Sequence, residues 1–268
     1  MARWTDERVW DAVDDWRWVP PGAVSEHTPE WDLVVTPGSY ALTSAYRFRV
    51  EDEREVDARL ESLRARILEL GGTGVRLQYT PRTRPVDLPD RLARLGYRPR
   101  EEAEVLVFEL RGEDGAPRLP ESRTAPGIEV REVLTVEEYA VFARLGTEIF
   151  GDPVPPPEIQ EEFLSAFRER VGREGRSDRF LAWDGPTAIG RAGLEVAGPV
   201  GRLWGTGVLL AHRRRGAYGA MVTARCRSSF ERGAEIALVT ARTGTSGPIL
   251  RRAGFRWVGR LTVWEARW

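Results

Sequence analysis

The 268-residue chain has no lysine and no asparagine, a single cysteine (Cys226) and two histidines (His27 and His212). Without lysine there is no Schiff-base chemistry and no Walker-type phosphate loop, since both depend on its amine. A lone cysteine excludes an intrachain disulfide framework, and two histidines are too few for a Cys/His zinc cluster, so no metal is expected. A Ser-His-Asp triad would have to use one of two particular histidines. No apolar run approaches the roughly 18 residues of a membrane span. The opening "MARWTDERVWDAVDDWRW" carries acidic residues where a secretory signal is uninterruptedly apolar. A cytoplasmic protein without membrane attachment is therefore expected. Charge of one sign is also lacking: 40 basic residues, all arginine, face 41 acidic ones, for a net charge of −1. No overall field draws such a chain to nucleic acid.

The length suits one large domain or two modest ones. A Gly-, Pro- and charge-rich stretch, "RGEDGAPRLPESRTAPG" (111–127), has little apolar periodicity and marks a boundary. The expected organisation is a first domain over 1–112, a linker over 113–126 and a second domain over 127–268. Strands and helices alternate on both sides, an α/β pattern. In the first half Thr5 opens a helix with Val9, Val13 and Trp16 on one face. "DLVVT" and "SYALTSAYRFRV" read as strands joined at a Pro37-Gly38 turn. Val56, Leu60, Leu63, Ile67 and Leu70 repeat at helical spacing. "GVRLQYT", "LPDRLARLG" and "EVLVFEL" follow as strand, helix and strand.

In the second half "IEVREV" is a strand, and "TVEEYAVFARLGTEIFG" a helix opened by a Thr-x-x-Glu capping pattern and closed at Gly151. A proline-led helix, three strands, a helix over about 217–232, the strand "EIALVTA", the short helix "SGPILRRAG" and a final strand complete the chain. "RLARLGYR" (91–98) echoes "ILRRAGFR" (249–256), and the element order repeats with it, which points to an internal duplication.

The stretch "VLLAHRRRGAYGAMV" (208–222) carries most of the chemistry. Val208 to Leu210 read as the end of a strand, and Tyr218, Val222, Cys226 and Phe230 as the buried face of the next helix. Cys226 on that stripe is a packing residue rather than a nucleophile; His212 reads as exposed or capping. The turn holds Gly216, where backbone can approach a ligand closely. Unpaired N–H groups at a helix start carry partial positive charge, so a strand–Gly turn–helix suits a pyrophosphate.

The pattern Arg213-x-x-Gly216-x-Tyr218-Gly219 after a strand resembles the acetyl-CoA loop of the GCN5-related N-acetyltransferases (GNAT). The closing "SGPILRRAGFRWVGRLTV" and the element order from Ile128 to Trp268 are similar to that family too. The resemblance implies a mixed-sheet α/β fold of acyltransferase type, in tandem with a degenerate N-terminal half. It also implies acetyl-CoA, or another acyl-CoA, as cosubstrate, and a small-molecule primary amine as acceptor. Val208, Leu209 and Leu210 would face the pantetheine, and main-chain amides of Arg213, Arg214, Arg215, Gly216, Ala217, Tyr218 and Gly219 the pyrophosphate. Thr243 and Ser246 would complete the cofactor site. Tyr218 stands where the family has a small residue, Leu250 where it has a tyrosine acid, and Thr243 where it has an asparagine.

The candidates for acid–base and acceptor-binding work are Glu195, Asp152 and Ser246, with Glu148 nearby. The equivalent loop of the first half, "EDERE", is acidic and lacks glycine, so one cofactor site is expected. Roles for that half are packing, shaping the acceptor cleft or forming a homodimer. Ten tryptophans, five of them before residue 32, are read as packing residues. Two other readings stay open: a silent acyl-CoA-binding protein, and the same fold with a different acyl donor or biosynthetic reaction.

Overall fold

A computed structural model describes residues 4–36, 43–112, 114–122 and 124–268. The expected Pro37-Gly38 turn and the first four residues of "SYALTSAYRFRV" lie outside these. The chain divides into two compact units, one of residues 10–104 with 259–268, the other of residues 4–9 with 105–258. It passes from one to the other three times, once inside the first helix and twice inside long strands, and segment 113–126 falls within the second unit.

In the 10–104 unit, the strands are β1 (Val24–His27), β2 (Asp32–Val35), β3 (Thr43–Tyr46) and β4 (Gly74–Tyr79), with parts of β5 (Arg98–Glu109) and β11 (Arg256–Arg267). Their order is β1-β2-β3-β4-β11-β5. Helix α1 (Asp6–Asp14) leads in, α2 (Val56–Glu69) joins β3 to β4, which pair in parallel, and α3 (Leu88–Arg94) precedes β5. The predicted stripe works as expected: Val56, Leu60, Leu63 and Ile67 are buried in one cluster with Leu33, Phe48 and Leu77. Each such side chain contributes roughly 1.5–3 kcal/mol by leaving water.

In the 105–258 unit, β6 (Ile128–Glu132), β7 (Arg179–Asp184), β8 (Thr187–Ala197), β9 (Val200–Val208) and β10 (Ile236–Arg242) join β5 in the order β5-β10-β9-β8-β7-β6. Helices α4 (Val136–Phe150) and α5 (Pro157–Glu174) pack an apolar cluster with Leu181 and Ala188. Helix α6 (Ala217–Glu231) and α7 (Ser246–Arg252) bury a second cluster with Phe180, Ile189, Leu203 and Val239. Alternation along β7 explains the two layers, with Phe180 and Ala182 on one face and Leu181 and Trp183 on the other. Helix α4 starts at a capping box, Thr135 accepting from the Glu138 amide at 3.2 Å, and ends at Gly151 with φ +70°.

Two expectations need correction. The strand before the arginines stops at Val208; Leu210–His212 form a 3₁₀ turn and Leu210 is exposed. The buried residues of α6 are Ala217, Met221, Val222, Arg225, Cys226, Ser228 and Ser229, while Tyr218 and Phe230 are only partly covered.

Candidate functional site

Two features of the sheet converge at the end of β9. First, the parallel partners β9 and β10 pair only at their beginnings, Val200 to Arg202 against Ile236 to Leu238. Beyond that register both strands continue, β9 to Val208 and β10 to Arg242, without further pairing to each other among the described residues. The pair therefore parts toward its carboxyl ends. Crossover strands of this kind place ligands in the crevice at those ends. Second, the β8–β9 register slips between Arg191 and Gly193, and Gly205 takes φ +55°, a bulge that turns the strand.

The turn after β9 curls tightly. Arg214 has φ +65° and Gly216 φ +88°, both left-handed. Only glycine holds such a φ without a Cβ clash, so Gly216 is the residue the turn requires. The first intrahelical bond of α6 runs from the Ala220 amide to the Gly216 carbonyl at 3.0 Å. The amides of Ala217, Tyr218 and Gly219 thus precede the helical ladder. Successive N–H groups in such a curl form a concavity for an anion.

Arg213 and Arg214 are exposed and Arg215 is half-buried. Arg213 donates to the Val208 carbonyl at 3.1 Å, and Arg215 makes a two-pronged ion pair with Asp184 at the end of β7. His212 Nδ1 lies 3.7 Å from the same carboxylate. Arg215 holds Asp184 below the usual carboxylate range. Two residues of the preceding connection touch this site: the Ala125 amide donates to the Arg215 carbonyl at 3.0 Å, and Thr223 Oγ1 to the Pro120 carbonyl at 3.2 Å. Gly219 leaves room for the Ser122 hydroxyl, 2.5 Å from where a Cβ would stand.

Tyr218 packs into the apolar cluster under α6 instead of lying over the loop amides. Burial raises its phenol, and the Ser246 side chain beside it works the other way. These two residues open the helices that follow β9 and β10, so they meet at the parted ends. Thr243 lies in the turn before α7, and Leu250 is buried in the core. Glu195 is farther off: it lies opposite Arg202, about 20 Å along β9 from Val208 at ~3.3 Å per residue. Glu148 pairs with Arg144 on the surface of α4 at 3.2 Å. Asp152, after α4, faces the charge of Arg191.

Two buried arginines were not among the sequence candidates. Arg225 is fully enclosed and donates to the carbonyls of Met221 (3.0 Å), Gly193 (2.8 Å) and Trp204 (3.4 Å). Gly193 and Trp204 flank the register slip, so Arg225 occupies carbonyls there and fixes the bulge. Burial lowers its pKa to about 10. Arg191, on β8, lies against α4 and the Phe142 ring. With 40 arginines, nothing in the sequence separates these two from solvent-facing ones.

No protein-family model matches the chain, and no curated protein is detectably similar to it. Among solved structures the fold is that of the GCN5-related N-acetyltransferases. One from Sphaerobacter thermophilus is 18% identical with a TM-score of 0.68, over 89% of this chain and 76% of the other. One from Kribbella flavida is 17% identical with a TM-score of 0.64, over 91% and 89%. A tandem GNAT protein from the clavulanic acid biosynthesis pathway aligns over 97% of this chain and 87% of its own length, 16% identical, TM-score 0.57. The expected GNAT-like fold, of mixed-sheet α/β type and in tandem, is thereby found. No described helix is long and apolar enough to cross a membrane.

Proposed function

We propose that the chain is an acyl-CoA-dependent N-acyltransferase that moves an acetyl group from acetyl-CoA to the primary amine of a small molecule. The observation that carries this reading is the parting of β9 from β10 beside the curled turn at Gly216. The amides of Arg214 to Gly219 would hold the pyrophosphate, and the open edge of β9 the pantetheine arm. Arg214, exposed in the loop, would meet the adenosine phosphate. The amine lone pair attacks the thioester carbonyl, the C–S bond breaks, the nitrogen loses a proton and the departing sulfur gains one. Tyr218, kept un-ionised by burial, adjoins Ser246 at the start of α6. It would supply the sulfur's proton in place of the tyrosine that Leu250 replaces. An amine positioned with its lone pair free needs little further help.

Release of CoA in the presence of amines tests the reading. The expected result is amine-dependent thiol formation together with thermal stabilisation by acetyl-CoA; no stabilisation by acetyl-CoA or CoA contradicts it. One feature favours the silent acyl-CoA binder as a second reading, namely that the place of the family's tyrosine acid is held by the buried, apolar Leu250. Tight acetyl-CoA binding without turnover over a broad amine panel would select that alternative.

A further inference from the structure

Arg191 and Arg225 are the buried arginines among the described residues, and they differ in how their donors are met. Arg225 donates from Nε to the Met221 carbonyl and from Nη1 to those of Gly193 and Trp204. Arg191 is 9% exposed; its guanidinium donates to the Phe142 carbonyl at 3.2 Å and lies 3.7 Å from the Phe142 ring centroid. Its Nε is buried with no hydrogen-bond partner. Arg191 is the one buried arginine there with an Nε left in that state. Burial lowers it to about 10, with the charge of Asp152 acting in the opposite sense.

The surroundings locate the guanidinium. A Cβ placed on Gly146 of α4 would run into its tip and come 3.4 Å from Asp152 Oδ2. A Cβ on Gly205, in the β9 bulge, would be 3.9 Å from its Nη2. The guanidinium therefore bridges from the last turns of α4 to the bulge, with the Asp152 carboxylate at the outer side. At Gly146 the guanidinium itself occupies the space that a side chain would take, so glycine is what admits it there. A planar fork of donors in a desolvated place matches a carboxylate in two parallel hydrogen bonds.

We infer that Arg191 and Asp152 form an acceptor subsite for an amine that also carries a carboxylate, an amino-acid-like zwitterion. The carboxylate binds Arg191, and the ammonium approaches Asp152 and gives its proton to solvent water before its lone pair attacks the thioester carbonyl. The inference rests on the acyltransferase reading and names its substrate class.

The test uses the full chain with acetyl-CoA and matched pairs of amino acids and their primary amides. The acids should exceed their amides in kcat/KM by about 100-fold, because a site built for a hydrogen-bonding group rejects the analogue lacking it. Arg191→Gln should bring the two within about threefold while acetyl-CoA affinity stays unchanged. Amides used as well as acids, or a ratio unmoved in a folded Arg191→Gln, overturns the inference. Because Arg191 also ties α4 to the sheet, the wild type supplies an independent readout. Simple carboxylic acids should compete with the amine and their amides should not; equal inhibition by both overturns it. If no amine is turned over although acetyl-CoA binds, the transfer reading fails separately. Calorimetry on the CoA-saturated protein then decides the subsite: binding of the amino acid but not its amide supports it, and binding of neither overturns it.

Discussion

The segment β3–α2–β4–α3 and the segment β9–α6–β10–α7 are built alike up to one turn. Each is a parallel strand pair joined by a helix, followed by a short helix that closes on glycine and an aromatic residue. Gly96 has φ +86° and Gly254 φ +93°. The next amide returns to the helix in both, Tyr97 to the Leu92 carbonyl at 2.9 Å and Phe255 to Leu250 at 3.1 Å. Tyr97 and Phe255 are each 4% exposed. The strand-to-helix turns differ. After β3 the chain buries Phe48 and Val50, and their backbone pairs with Arg84 at 3.1 and 3.3 Å. It enters α2 at Glu55 without glycine. After β9 it curls through Arg214 and Gly216 and leaves its amides ahead of the helix. On the proposed reading, the shared frame would hold an anion only where the turn bears glycine.

Five substitutions would break or sharpen this contrast. Gly216→Asp combines a strained φ with a negative charge at the helix start. It should weaken acetyl-CoA binding by at least ~100-fold, about 3 kcal/mol, in a titration, with the protein still folded. Leu63→Ala, in the fully buried stripe of α2, should cost about 2–5 kcal/mol in urea denaturation and leave acetyl-CoA affinity of the native protein alone. Gly96→Ala and Gly254→Ala should each cost about 1–2 kcal/mol, because alanine resists that φ. The second should cost somewhat more, since its methyl would stand 3.4 Å from Phe108. A cost at one position alone would argue against equivalent closures. The smallest effect concerns pH. Asp184 is held low by Arg215, so the loop's tie to β7 is complete above the ordinary carboxylate pKa of about 4 and is lost as pH falls through the lowered value. Acetyl-CoA affinity should therefore show no change from this pair between pH 8 and 5, and Asp184→Asn should lower it a few-fold at any pH in that range.

Much of the frame was legible because it rests on local signals. The α2 stripe, the Thr135–Glu138 capping box and the Gly216 turn each follow from residue spacing and were met as read. Strand β1 was missed: Ser25, Glu26 and His27 give it no apolar alternation, and its pattern is mostly exposed. Strand β5 begins at Arg98, earlier than expected, because the charged run "RPREEA" hides an extended backbone. In the site, the turn was readable and its environment was not. Arg191 and Arg225 owe their burial to contacts over 49 and 32 residues of sequence, which no local pattern reports. The meeting of Tyr218 with Ser246 depends likewise on where β9 and β10 part.

The most direct measurement is a calorimetric titration of the full-length chain with acetyl-CoA, wild type beside Gly216→Asp. One binding event per chain, lost in the variant, is the result expected from a single open turn. No binding, two equivalent sites, or a wild-type affinity retained in folded Gly216→Asp would contradict it.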